Sequence, residues 1–401
     1  MSAAPGESGA AGESGAAGPP GEAGASAARG APGAGTEPGG PAPGGPASDV
    51  PDAGPGRPDP DGPGFDPPGS DGARLAAAVR AVDAPDVVFA LSRNGRRTVR
   101  SGGTAPPPPV PREELRYELG SASKPYTALL LARLAANGEV AGNAPAVAQL
   151  LPGRPVGRAP ITLTHLITHT SGLPPLPADL YPRALRAWST NPYADYPPER
   201  VVRAFLRARP RHRPGTRWRY SNFGVAVLGH ALVAATGVPW DTLLADRVLT
   251  PLGLTGTTTV PGDGSAGDAT GHRADGRTPV PPLRIGGFRA AGAVRARPGD
   301  LLTLLEAHLD PGRSPAAAEL RALRRPVLRR GAGHRHTHTL AWFQHPTDHG
   351  PMYFHAGATS GQQAFLGFHP ETGTAVAALC TRRFRRRDRF VATAHALLAG
   401  E

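Results

Sequence analysis

A hydroxyl and an amine three residues apart at the mouth of a helix can serve as nucleophile and base, and one stretch of this chain supplies both. Ser121 and Lys124 stand in Leu119-Gly120-Ser121-Ala122-Ser123-Lys124-Pro125-Tyr126-Thr127, which runs into Ala128-Leu129-Leu130-Leu131-Ala132-Arg133-Leu134. The second half has helical periodicity and meets no breaker before Asn137-Gly138, so the two side chains share a face at a helix N-terminus. There the macrodipole and free backbone N–H groups stabilise developing negative charge. Composition sharpens the pair: Lys+Arg total 44, and Lys124 is the sole lysine. Arginine stands wherever a plain positive charge suffices. An arginine keeps its proton at any working pH, whereas a desolvated lysine can shed it and act as a base. The alternative is a lone lysine left beside a serine by chance.

A serine nucleophile also needs donors for the oxyanion and a second titratable group to relay protons. Two further segments offer these. In Trp218-Arg219-Tyr220-Ser221-Asn222-Phe223-Gly224, Tyr220 and Asn222 flank the start of a helix; taken alone, Ser221 or Asn222 would simply cap it. In Tyr353-Phe354-His355-Ala356-Gly357-Ala358 a strand ends in small residues that let a substrate lie against the backbone. His355 by itself reads equally as a partly buried polar residue of a strand.

With these residues in this order, the chain resembles the serine β-lactamase and penicillin-binding-protein superfamily, in its class C-like branch. That branch includes class C β-lactamases, D-alanyl-D-alanine carboxypeptidases, D-aminopeptidases and esterases. Ser121-Ala122-Ser123-Lys124 matches the family's Ser-x-x-Lys, Tyr220-Ser221-Asn222 its Tyr-x-Asn, and His355-Ala356-Gly357 its third motif. His165-Leu166-Ile167-Thr168-His169-Thr170-Ser171-Gly172-Leu173-Pro174 matches a structural segment of the same branch, and the resemblance covers about residues 73–401. It implies that Ser121 is the acylated nucleophile and that Lys124 with Tyr220 forms the base system. Asn222 would contact the substrate's amide or acyl side chain, and the backbone N–H groups of Ser121 and Ala358 would form the oxyanion hole. His355, Gly357 and Ala358 would line the substrate. Which of Lys124 and Tyr220 takes the serine proton stays open, because the two titrate as a coupled pair. No metal or other cofactor is implied.

One departure bears on the substrate. β-Lactamases and transpeptidases of the family carry Lys-Thr-Gly where this chain has His355-Ala356-Gly357. An imidazole is largely neutral at pH 7 and anchors a carboxylate weakly, and Ala356 lacks a hydroxyl donor. Efficient hydrolysis of β-lactams is therefore not expected; an ester or a small amide, such as a D-amino-acid peptide, is. The competing reading is a non-catalytic penicillin-binding-like ligand-binding or sensor module, against which the intact Ser121, Lys124, Tyr220 and Asn222 argue.

The elements that must position these residues can be read along the chain. The first seventy residues hold 19 Gly and 15 Pro with almost no bulky apolar side chain, so residues 1–72 are expected to be a disordered tail. Residues 73–401 are expected to form one hydrolase domain. The pattern predicts a helix over 74–82, a hairpin of strands 86–91 and 98–101 turning at Asn94-Gly95, and the Ser121 helix. It then predicts a short helix from the Thr162 cap to a Gly172 stop, and helices over 198–209, 223–235 and 240–248. Strands follow near 290–294, 337–343, 352–355, 362–368 and 374–380, with helices over 298–308 and 389–398. The fold class is α+β: an antiparallel sheet flanked by helices, built from residues 73–144 and 285–401, with an all-helical insertion over 145–284.

Other features are assigned structural roles. His165 and His169 have the spacing of a zinc pair, but no Glu follows the first histidine, so packing and capping are expected. His334, His336 and His338 would share a strand face without a carboxylate or Cys beside them, and a solvated strand is expected. Cys380, the single cysteine, excludes an internal disulfide and reads as a small core residue. The formal net charge is +12, yet only Arg382–Arg389 forms a basic run, expected to be a solvated loop before the last helix. No specific nucleic-acid binding is expected. No signal peptide or membrane-spanning run is visible, and the protein is expected to be soluble and cytoplasmic.

Overall fold

Two apolar stretches from opposite ends of the chain pair residue for residue: Val87–Arg93 (β1) runs antiparallel to Thr374–Cys380, from Val87↔Cys380 to Arg93↔Thr374. The computed structural model describes residues 67, 69–157, 160–185, 187, 191–262, 267–330 and 336–401. Gly69–Glu401 form one unit; the expected tail lies outside the described residues up to Asp66. Asp71–Arg80 (α1), capped by Ser70, leads to β1, and Asn94-Gly95 turns the chain into Arg96–Gly102 (β2). Tyr117–Glu118 (β3) pairs with Arg295–Ala296 (β4) in a short separate ladder. The later strands are Leu328–Arg330 (β5), His336–His338 (β6), Phe343–Thr347 (β7), Gly350–Ala358 (β8), Gln363–His369 (β9) and Thr374–Cys380 (β10). Among the described residues they form one eight-stranded antiparallel sheet in the order β2-β1-β10-β9-β8-β7-β6-β5.

Strand alternation divides the sheet into two faces. Val87, Phe89 and Leu91 of β1 point to a core with Phe354, Phe365, Val376 and Ala378, closed by α1 and by Phe390–Ala399 (α12). Val88 and Ala90 point the other way, with Ala364, Ala375 and Ala377, into a larger core shared with Lys124–Ala136 (α2) and Pro298–Leu309 (α10). Small residues on this second face let helices and the Ser121 turn approach the sheet closely.

Between 145 and 284 the described residues hold helices and isolated bridges but no strand of either sheet. The helices are Ala146–Leu150 (α3), Leu163–Ile167 (α4), Leu180–Ala184 (α5), Pro198–Arg207 (α6), Asn222–Thr236 (α7) and Trp240–Leu244 (α8), which continues as a π-turn to Leu249. α7 is buried from Phe223 through Gly229 and again at Ala231 and Leu232, which is why its sequence there is apolar on nearly every side. None of the described helices is singly long and apolar enough to cross a membrane.

Four expectations need correction. Residues 290–294 are not a strand: Arg289–Gly292 is one helical turn (α9), because its alanines carry no β-branched side chain to favour extension. The 337–343 strand is two strands, broken where Thr339 Oγ1 accepts the Trp342 N–H and closes a turn. α4 stops at Ile167 rather than near Gly172, since His169 takes a left-handed conformation with φ +58°. Ala317–Leu323 (α11) and β5 were not expected at all.

Candidate active site

Ser121 lies in a 3-10 turn, Gly120–Ser123, and the α-helix α2 begins at Lys124. The tighter turn has three residues per revolution, so positions i and i+3 eclipse and Ser121 lines up with Lys124 more closely than in an α-helix. The turn is pressed against β8 by two glycines. A Cβ on Gly357 would meet Ala122 N at 2.6 Å and Ser121 N at 2.9 Å and would overlap the Leu119 carbonyl oxygen. Gly120, at φ +50°, lies equally close to Ala358, whose carbonyl oxygen a Cβ would meet at 2.5 Å. Only glycine at both places lets the backbone of Ser121 and of Ala358 border the same space. β7 pairs with β8 only as far as Phe343↔Phe354. Beyond that point His355–Ala358 have no strand on that side among the described residues, leaving an edge where an extended substrate can lie.

The Tyr220 hydroxyl donates to Ser121 Oγ at 2.6 Å. Lys124 Nζ donates to Asn222 Oδ1 at 2.9 Å and to the Ala291 carbonyl at 3.0 Å, and sits 4.9 Å from the centre of the Tyr220 ring. Ser221 is the N-cap of α7, its Oγ accepting the Gly224 N–H at 2.9 Å. Asn222 is thereby free of the capping task and turns its amide to Lys124 on one side and to the Tyr193 hydroxyl, at 3.4 Å, on the other. The structure thus brings Ser121, Lys124, Tyr220 and Asn222 together.

Burial sets the protonation of this group. Lys124 is 1% exposed, and loss of solvation lowers its ammonium from the ordinary 10.5 to about 7. Burial raises the Tyr220 phenol above its ordinary 10, more than its bond to Ser121 lowers it, so the phenol keeps its proton at neutral pH. His355, also buried, is held down to about 3, first by burial and then by the Lys124 charge; its Nδ1 meets the Ala356 carbonyl at 2.8 Å. It is a neutral imidazole at pH 7, on the sheet face that carries Tyr353.

Two contributors carry no signal in the sequence, and a third, His169, is expected from it only to pack and cap. The Ala291 carbonyl belongs to the segment misread as a strand; as one of the last carbonyls of α9 it has no partner within its own helix, and Ala290 beside it accepts from Thr127 Oγ1 at 2.6 Å. Tyr193 lies in a loop with no distinguishing spacing. His169, 6% exposed, packs its ring 4.4 Å from that of Tyr220; its left-handed backbone gives no signal in sequence. His165 does cap α4, its Nδ1 accepting the Thr162 N–H at 3.2 Å.

The basic run is, as expected, a largely exposed loop before α12, with Arg382 the exception; His338 differs from expectation. His334 lies outside the described residues, and His338 is buried rather than solvated, stacked 4.7 Å from Trp218. No group of His, Cys, Asp or Glu among the described residues has the arrangement of a metal site. Arg382 of the basic run is 3% exposed and ion-paired with Asp83 at 2.6 Å. Its charge is neutralised within the fold. Cys380 is buried in the core, its thiol pushed up to about 12 by burial.

A serine hydroxyl on a phenol, beside a buried amine and against a strand edge in an α+β fold, defines a serine hydrolase. A model of the Beta-lactamase family matches residues 73–401, and the chain belongs to that family. Penicillin-binding protein 4 of Amycolatopsis lactamdurans is 29% identical over 300 residues, covering 66% of this chain and 71% of that protein. Esterase EstB of Burkholderia gladioli is 34% identical over 151 residues, covering 36% of this chain and 38% of the esterase. The chain spans about half the length, 54%, of the Escherichia coli D-alanyl-D-alanine-carboxypeptidase/endopeptidase AmpH, with 29% identity. In fold it is similar to a class C β-lactamase from Rhodobacter sphaeroides, with TM-score 0.66, 22% identity, and 80% of this chain and 96% of that one covered.

Proposed function

We propose that the protein is an esterase that forms an acyl-enzyme on Ser121 and prefers acyl groups without a free carboxylate. The observation that carries the substrate preference is His355. At the position where β-lactamases and transpeptidases of the family hold a lysine, this chain has a buried imidazole whose proton is lost far below neutral pH. A neutral ring gives a substrate carboxylate no counter-charge. D,D-carboxypeptidase and β-lactam substrates both bring such a carboxylate; simple esters and D-amino-acid amides do not. The likeness to EstB supports the same choice.

In this reading Ser121 Oγ attacks the acyl carbon, and the backbone N–H groups of Ser121 and Ala358 receive the oxyanion. Removing one such donor costs about 10²- to 10³-fold in rate. Tyr220, 2.6 Å away, is the serine's hydrogen-bonded neighbour, and Lys124 titrates near neutrality. Together they hold the serine proton and return it to the departing alcohol. Water then attacks the acyl-enzyme, losing a proton to the same pair, which restores the Ser121 hydroxyl and releases the acid. Asn222 holds Lys124 in place and presents its amide to the acyl side chain.

The test is a stopped-flow comparison of p-nitrophenyl acetate, nitrocefin and a D-alanyl-D-alanine peptide. A burst of p-nitrophenol followed by turnover, with slow or absent hydrolysis of the other two, is expected. Faster turnover of the carboxylate-bearing substrates would overturn the preference, and no burst or turnover on any of them would favour a binding module.

A further inference from the structure

We propose that His169 is a positioning residue of the acyl-transfer site, holding residues 219–221, and so the Tyr220 hydroxyl, in register with Ser121. The inference rests on the reading of Ser121 as nucleophile.

The backbone supplies the first observation. α4 ends at Ile167, Thr168 follows, and His169 enters the left-handed region at φ +58°. The Thr170 N–H then turns back to the His165 carbonyl at 3.0 Å. His169 therefore occupies the place beyond a helix C-terminus that glycine ordinarily takes. A side chain with a Cβ is disfavoured in that conformation, and glycine at this position would remove the strain. The imidazole persists although the local backbone disfavours it.

The second observation is what the residue touches. Its carbonyl accepts the Arg219 N–H at 2.8 Å, and its Nδ1 accepts the Ser221 N–H at 3.2 Å. Its ring lies 4.4 Å from the Tyr220 ring at 39°. The two hydrogen bonds grip the chain on either side of Tyr220, as two rungs of a ladder would, with the imidazole standing in for the second backbone acceptor. Among the described residues no β-strand does this, and Arg217–Ser221 has no ladder partner. With its backbone left-handed, His169 presents both acceptors to the same segment. Nδ1 can accept only from a neutral ring carrying its proton on Nε2, and burial keeps His169 neutral, well below its ordinary pKa.

Neighbouring contacts extend the grip. Gly215 N–H bonds to the Thr170 carbonyl at 2.9 Å, Ser221 Oγ to the Pro174 carbonyl at 2.6 Å, and Phe223 N–H to the Pro175 carbonyl at 3.0 Å. Residues 169–175 thus act as a template along which 215–223 are laid. Within that template His169 is the member whose side chain reaches the segment bearing Tyr220.

The experiment is fluorophosphonate labelling of the full chain, resolved into a binding constant KI and a limiting rate kinact, for wild type, Ser121→Ala, His169→Gly and His169→Asn. Glycine suits the left-handed backbone, so His169→Gly should keep its thermal stability and KI while kinact falls about 10²-fold, the scale expected from a misplacement of about 1 Å. Asparagine also tolerates this conformation, and its side-chain oxygen can accept the Ser221 N–H. His169→Asn should recover kinact to within about tenfold of wild type, the partial recovery expected when hydrogen bonding but not ring packing is restored. A folded His169→Gly with wild-type kinact would overturn the proposal, as would a folded His169→Asn no faster than His169→Gly. Should His169→Gly not fold, a His169→Asn about 10²-fold slower than wild type at native melting temperature overturns it on its own. Absence of labelling in wild type, or labelling of Ser121→Ala at the wild-type rate, marks instead the failure of the Ser121 reading.

Discussion

The two faces of the eight-stranded sheet are buried to similar depth and do opposite work. On the α1/α12 face, Val87, Phe89, Leu91, Phe354, Phe365 and Val376 meet large apolar side chains, among them Phe390, whose ring centre lies 6.0 Å from that of Phe89. On the α2/α10 face, Ala90, Ala364, Ala375 and Ala377 leave room for α10 and for the Ser121 turn, and burial falls on titratable groups: Lys124, His169, His308 and His355. Desolvation stabilises a structure when it removes methylenes from water, and shifts proton affinities when it removes charges. The same physical change gives strength on one face and shifted proton affinities on the other.

Substitutions can break that contrast, beginning with the largest effect on rate. Lys124→Arg keeps the charge but removes the amine that titrates near 7. Acylation measured by p-nitrophenol burst should fall about 10²- to 10⁴-fold, the usual contribution of a positioned base; near-full activity would exclude the base role. Gly357→Ala inserts a methyl group into the Leu119–Ala122 backbone. Displacing the oxyanion donors should cost about 10²-fold in kcat, visible in steady-state ester hydrolysis.

The pH dependence sharpens the contrast at the next scale. The Lys124 ammonium is lowered to about 7, so the amine is depleted below neutrality and the burst rate should fall about tenfold per pH unit there. A rate independent of pH between 5 and 8 would count against Lys124. Stability should respond to acid for a related reason. His308, stacked on Phe368, and His355 are both held down to about 3 from an ordinary 6.5. Between those values the unfolded chain binds protons that the folded one refuses, so stability is full above about 6.5 and is lost as pH falls toward 3. His308→Leu should flatten that loss in denaturant titrations run at pH 4 and 7.

The smallest effect on rate belongs to the other face. Phe89→Ala should cost about 3–5 kcal/mol of folding stability in urea titration, yet leave kcat of the remaining folded protein nearly unchanged at low temperature. A large loss of kcat in that variant would mean that the two faces are not separable.

The elements that the sequence makes legible are those with strong local patterns. β1 and β10 are short apolar runs bounded by turn signals, α6, α7, α10 and α12 match their expected spans within a few residues, and the Asn94-Gly95 turn stands where its chemistry places it. Elsewhere tertiary contacts override weak local preference. Ala290-Ala291-Gly292 suits several conformations, and became a helical turn whose carbonyls meet Thr127 and Lys124. His169 packs as expected, but its left-handed backbone, invisible in a letter code, is what makes Tyr220 its partner.

Residue types and order alone settled which side chains could react: a serine and the only lysine one turn apart, a tyrosine and an asparagine around a helix start, and glycines where backbone had to meet backbone. They could not settle how those groups would titrate or meet. Tyr220 reaches Ser121 across 99 residues, and Lys124 reaches Ala291 across 167. Proton affinity depends on how much water every surrounding element excludes, a sum over neighbours from the whole chain. Local pattern carries no record of that sum, and only the folded molecule turns an ordinary lysine into an amine that can give up its proton near neutrality.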